Sequence, residues 1–133
     1  MEKLLELKNI LVEKNCSCVV ESNGNIYVSF EKGIKPVLGW LAENNLLKGA
    51  SVADKVVGKA AALLFAYAGI KEIYAEILSQ PAKMVFDKHN IPVSYLKLVK
   101  NIRNRNNTDI CPMEKMAADI NSPELAFKVF SSL

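Results

Sequence analysis

The most restrictive feature of this chain is the tetrapeptide Ser22-Asn23-Gly24-Asn25, set between two alternating runs. Upstream, Cys16, Cys18 and Val20 alternate with Ser17, Val19 and Glu21. Downstream, Ile26-Tyr27-Val28-Ser29-Phe30 alternates again. Asn and Gly both tolerate positive φ, as the tight turn between two twisted strands requires. Residues 16–30 are therefore expected to form a β-hairpin.

Around the hairpin the period changes. Leu4, Leu5, Leu7, Leu11 and Val12 recur at near-helical spacing, which predicts a first helix over residues 2–14. Pro36 suits a helical first turn, and Val37, Leu38, Trp40, Leu41 and Leu46 suit a short second helix. Ser51-Val52-Ala53-Asp54 has capping-box spacing, so a third helix is expected from Ser51 to about Ala68. Its residues are apolar nearly all round, as in a helix buried on most sides. Lys71 to Leu78 reads as a strand, Pro81 opens a helix ending near His89-Asn90, and Pro92 to Leu98 is the next strand. Helices alternating with strands imply parallel pairing through crossovers. Residues 101–109 form a polar, Asn-rich loop. Helical structure restarts at Cys111-Pro112-Met113-Glu114, and a last short helix runs from Pro123 to about Ser131.

The length of 133 residues suits one domain, 1–133, with no linker or repeat. Half the residues are apolar and 23% are charged, which excludes a disordered chain. The longest apolar stretch, Ala60 to Ile70, is too short for a membrane span of roughly 20 residues. Charges thread the leucines at the N-terminus, against a signal peptide. Three cysteines, Cys16, Cys18 and Cys111, then suggest reduced thiols and a cytoplasmic location.

Two groups of residues form candidate sites. On a helix starting at Ser51, Asp54, Lys55, Gly58 and Lys59 would share one flank. Two lysines four apart near a helix start call for a compensating anion, and Gly58 would admit a ligand. Alternatively, Asp54 only caps the helix and the lysines snorkel to solvent. Gly58-Lys59 is not a phosphate-binding P-loop, because Gly49 lies too far upstream and Ala60 has no hydroxyl. Cys111, before Pro112 at a helix start, would favour thiolate, with Arg103 or Arg105 lowering its pKa further. It would then be a nucleophile or an adduct site; otherwise it is a small buried apolar residue.

Two other classes draw little support. Cys16, Cys18, Cys111 and His89 lack the paired spacing of a structural zinc site, so no metal or cofactor is expected. A nucleic-acid partner is not expected either: 17 Lys and Arg against 14 Asp and Glu leave only +3, and no aromatic residue interrupts the Asn-rich loop.

The order of hairpin, helix, strand, helix, strand resembles the cytidine-deaminase-like fold. More specific are the stretches from Gly49 to Ala61, and from Asn104-Arg105-Asn106-Asn107-Thr108 into Cys111-Pro112-Met113-Glu114. They are similar to an uncharacterised family of deaminase-like proteins, a domain of unknown function in bacteria and archaea. The resemblance spans residues 15–120. It implies a three-layer α/β/α sandwich with a mixed sheet. True deaminases carry a His or Cys followed by Ala-Glu at one helix start and Pro-Cys-x-x-Cys at the next, and these hold zinc. Here the helix starts read Ala53-Asp54-Lys55 and Pro81-Ala82-Lys83-Met84-Val85. Both cysteine positions, Ala82 and Val85, lack a ligand, so zinc-dependent deamination is not expected.

The resemblance implies a cleft where the zinc would be. Asp54 and Cys111 are then the candidate catalytic residues, and Lys55, Gly58, Lys59, Asn104 and Arg105 the candidate ligand-binding residues. The expected partner is a nucleotide- or ADP-ribose-like ligand without a membrane association. The alternative is a catalytically inactive interaction or regulatory module forming a homo-oligomer, with surface on the apolar third helix to bury.

Overall fold

The computed structural model describes residues 2–43, 45–104 and 106–133. The hairpin forms where the Asn-Gly turn places it. Strand β1 (Cys18–Ser22) pairs antiparallel with β2 (Asn25–Ser29), and Asn23 and Gly24 both take positive φ, 51° and 85°. Helix α1 (Glu2–Lys14) precedes the hairpin and α2 (Lys35–Leu41) follows it, with Pro36 in its first turn.

Residues 51–68 depart from the expected single helix. Ser51–Val57 is a strand, β3, and helix α3 begins only at Lys59 and runs to Ala68. The Ser51 hydroxyl does not cap a helix; it donates to the Glu72 carboxylate on the neighbouring strand at 2.6 Å. β3 is central, antiparallel to β1 and parallel to the next strand. A central strand is covered on both faces and so has no polar alternation. Its all-round apolar character was therefore compatible with either element, and the β-branched Val52, Val56 and Val57 favour the strand.

Strands and helices then alternate as expected: β4 (Glu72–Ser79), α4 (Gln80–Lys88) and β5 (Val93–Val99). Ser79 caps α4 by accepting the Ala82 amide at 3.1 Å. The C-terminal segment adds α5 (Pro112–Ala117) and α6 (Pro123–Ser131). The sheet order is β2-β1-β3-β4-β5, a mixed five-stranded sheet, and the described residues hold six helices.

Alternation along the strands divides the core in two. Val19, Ala53 and Tyr74 face α1, packing on Leu4, Leu7 and Leu11. Cys18, Val20, Val52, Ile73 and Ala75 face the opposite way, toward α3 and its neighbours. Phe65, Phe86 and Phe130 are fully buried on that side. Each contributes roughly 1.5–3 kcal/mol of burial free energy. Residues Ala60 to Phe65 of α3 are buried within the domain. Tyr67, near its end, stacks on Phe127 of α6 with ring centroids 4.5 Å apart. Most of the apolar surface expected on this helix is covered within the domain, by the sheet and by α4, α5 and α6, and Tyr67 remains partly exposed. Among the described residues no helix is long and apolar enough to cross a membrane.

Candidate functional site

At the carboxyl end of β3 a cleft of about 940 Å³ opens between the hairpin, the start of α3 and the segment leading into α5. Ligand crevices in α/β sheets occupy this position, because strands end and helices begin there. Of the residues singled out by sequence, Asp54, Lys55, Gly58, Asn104 and Cys111 all line it. They meet by a different route from the expected one. Asp54 and Lys55 come from a strand rather than a helix flank, so they point to opposite faces of the sheet.

Asp54 is opposite Cys18 on β1 and Ala75 on β4, and only 7% of its surface is exposed. Burial pushes its carboxyl up to about 7, against the opposing influence of the Val56 and Lys55 amides and the Cys18 thiol. Burial also raises the Cys18 thiol well above its ordinary value, and the adjacent Asp54 carboxyl raises it further. Cys16, which lines the cleft, is likewise raised by burial. The Lys55 ammonium donates to Asn15 Oδ1, and the Lys55 backbone amide donates to the Ser17 carbonyl.

Lys59 is not part of the cleft. Its side chain turns to the C-terminal segment and donates to the Ala118 carbonyl at 3.0 Å and to Asn121 Oδ1 at 3.3 Å. Its backbone amide donates to Glu114 Oε1 at 2.6 Å, and the Ala60 amide donates to Glu114 Oε2 at 3.1 Å. The start of α3 is thus occupied by a carboxylate of the chain itself. A Cβ at Gly58 would meet that carboxylate and push it off the two amides. Glu114 therefore fills the helix start at which an anionic ligand was expected, through backbone amides and not through the two lysine side chains.

Cys111 is the N-cap residue of α5 and is half-buried. Its amide donates to the Ile102 carbonyl at 2.9 Å. An isolated bridge between Arg103 and Ile110 closes the polar loop. Asn104 lines the cleft, but its side chain holds the loop together: Oδ1 accepts the Thr108 amide at 3.0 Å and Nδ2 donates to Thr108 Oγ1 at 3.1 Å. Arg105 lies outside the described residues.

The sequence reading did not assign Phe30, Lys32, Lys35 or Glu114 to the site, and it set Arg103 beside Cys111 and weighed it as a phosphate contact for nucleic acid without including it among the ligand-binding residues. All five line the cleft. Phe30 shows 67% of its surface to solvent at the rim, unusual for a phenylalanine just past a strand. A sequence signal existed for the basic side chains, in Lys32-Gly33-Ile34-Lys35, but nothing local linked that loop to β3. Among the described residues no group of three or more His, Cys, Asp and Glu gathers as a metal site.

The sequence profile of the family described as Domain of unknown function (DUF1893) matches residues 6–133. The chain belongs to the DUF1893 family. Its fold is similar to that in the crystal structure of a DUF1893 family protein, TM1506, from Thermotoga maritima. The two share 28% identity, with a TM-score of 0.91 over 99% of this chain and 90% of that one. No curated protein matches the chain. The matched residues 6–133 include every residue that lines the cleft, and the family is one of unknown function.

Proposed function

We propose that the cleft binds a nucleotide-like ligand: an amino-bearing heterocycle joined to a sugar phosphate, as in ADP-ribose. The observation that carries this reading is the placement of Asp54, a buried carboxyl at the floor of a cleft whose rim holds Lys32, Lys35, Lys55 and Arg103. The Asp54 carboxyl meets the Val56 and Lys55 amides and the Cys18 thiol, and a carboxyl has acceptor sites for a further donor from the cleft. An exocyclic amino group or a ribose hydroxyl is such a donor. The basic rim suits phosphate, with Arg103 able to pair with it in a bidentate fork. Phe30 offers a ring for base stacking. The cleft volume falls within the range of about 300–1,000 Å³ usual for small-molecule sites.

The deaminase-like scaffold belongs to the same proposal. With the first core helix now starting at Gly58-Lys59-Ala60 and the next at Pro81-Ala82, neither start carries the His or Cys residues that would hold zinc. The reading is therefore of ligand recognition by carboxyl and basic side chains. Cys111 is the accessible thiol of the cleft and the candidate for covalent chemistry.

Isothermal titration of ADP-ribose and nucleoside monophosphates into the protein tests the proposal. Micromolar binding by at least one probe is expected, weakened at least tenfold by Asp54→Asn and by Arg103→Ala. No binding by any probe, or binding indifferent to both substitutions, would overturn it.

A further inference from the structure

Strand β5 lies at one edge of the sheet, yet it reads Val93-Ser94-Tyr95-Leu96-Lys97-Leu98-Val99 and its residues 94–98 are exposed. Leu96 shows 72% of its surface to solvent. An edge strand with apolar side chains and open backbone groups is a template for pairing with another strand.

The register of β5 decides which strand fits. Ser94 pairs with Tyr74, which faces α1, so Leu96 lies on the α1 side of the sheet. Helix α1 lies across β1, β3 and β4, and Leu96 stands beyond it. The Ile73 amide donates to the Pro92 carbonyl, so even-numbered residues of β5 turn their backbone groups to β4. Alternation leaves the backbone groups of Val93, Tyr95, Lys97 and Val99 at the open edge.

We infer that two copies of this chain associate through β5, antiparallel and about a two-fold axis at Leu96, joining their sheets into one of ten strands. In that register Tyr95 and Lys97 of one copy exchange backbone hydrogen bonds with Lys97 and Tyr95 of the other. The two Leu96 side chains meet in a non-hydrogen-bonded pair, where Cα atoms approach to about 4.5 Å and side chains are closest. Lysine never faces lysine. Each Lys97 lies opposite a tyrosine ring, a favourable cation–π neighbour. A mid-strand lysine ordinarily guards an edge against pairing; this register alone turns it into a contact. The second copy is preferred to a foreign strand because in this register Leu96 meets Leu96, Val93 meets Val99 and Lys97 meets Tyr95. None of the β5 residues lines the cleft, so the inference stands apart from ligand binding.

Sedimentation equilibrium over a range of concentrations tests it, with the wild type, Leu96→Lys and Leu96→Glu. Leu96 is exposed, so both variants should fold with the wild-type circular-dichroism spectrum, and any loss of melting temperature should vanish at concentrations where the wild type is monomeric. The wild type should reach twice the 14.7 kDa chain mass. Each variant places like charges face to face at the axis and should weaken dimerisation more than about tenfold. An equal mixture of the two variants should recover the dimer, because residue 96 meets residue 96. A monomeric wild type would overturn the inference and leave the edge to a foreign partner. A dimer that survives both substitutions, or a mixture that stays monomeric, would overturn it as well.

Discussion

Glu114 on α5 accepts a hydrogen bond from the backbone amide of Lys59 at the start of α3, at 2.6 Å, across 55 positions of sequence. The same carboxylate takes the Ala60 amide. Two of the four amides that a helix start leaves open are thus satisfied from a distant segment. The contact ties the C-terminal segment to the wall of the cleft. Removing the carboxylate in Glu114→Ala should cost about 1–2 kcal/mol of stability. Gly58→Ala should also destabilise, because its methyl group would meet that carboxylate. In the double variant the collision disappears, so urea denaturation should show a cost smaller than the sum. Additive costs would contradict the contact.

The buried carboxyl of Asp54 makes stability depend on pH in an uncommon direction. Its ordinary value is 3.8, and burial pushes it up to about 7. Between roughly pH 4 and 7 the unfolded chain has released this proton while the folded one retains it, so stability falls as pH rises. Asp54→Asn removes that dependence. At pH 8 the variant should be more stable than the wild type by an amount on the order of 2–4 kcal/mol. At pH 4 the two should be close. Thermal melts at both pH values check this, and equal stabilities at pH 8 would contradict the burial of a charge at this site.

The three thiols should separate by reaction rate. Cys16 and Cys18 are buried and their thiols are raised, whereas Cys111 is partly exposed. Titration of the native protein with a disulfide reagent should show one fast thiol and two slow ones. Cys111→Ser should remove the fast phase. A fast phase that persists in that variant would place the accessible thiol elsewhere.

Lys59 should matter for stability and not for the ligand. Its ammonium holds the end of α5 through the Ala118 carbonyl and Asn121. Lys59→Met should lower the melting temperature by a few degrees, in line with loss of about 1 kcal/mol of hydrogen bonding. Affinity for a nucleotide probe should stay within about twofold of wild type. A tenfold loss would return Lys59 to the binding site.

The hairpin, α1, α4, β4 and β5 were legible because their signals are local: an Asn-Gly turn, a 3.6-residue period, a proline in a first turn. β3 was not. Its Ser-x-x-Asp spacing imitates a helix start, and its burial on both faces hides the alternation that would mark a strand. The cap of α3 was also beyond local reading, since its carboxylate lies on α5. Asp54, Lys55, Gly58, Asn104 and Cys111 were singled out and do share one cleft, but Lys59 was placed there by a helical geometry that residues 51–57 do not adopt. The basic rim at Lys32, Lys35 and Arg103 depends on how the hairpin exit and the polar loop fold over β3, a tertiary relationship with no sequence period.

On the proposed reading, a nucleotide-like ligand occupies the cleft at the end of β3. The most direct test is a titration of ADP-ribose into isotope-labelled protein, followed by amide chemical shifts. Binding in the cleft predicts saturable shifts at Lys55, Gly58, Arg103 and Met113, with Leu96 and the hairpin turn at Asn23 unmoved. Shifts confined to residues outside the cleft, or no shifts at millimolar ligand, would contradict it.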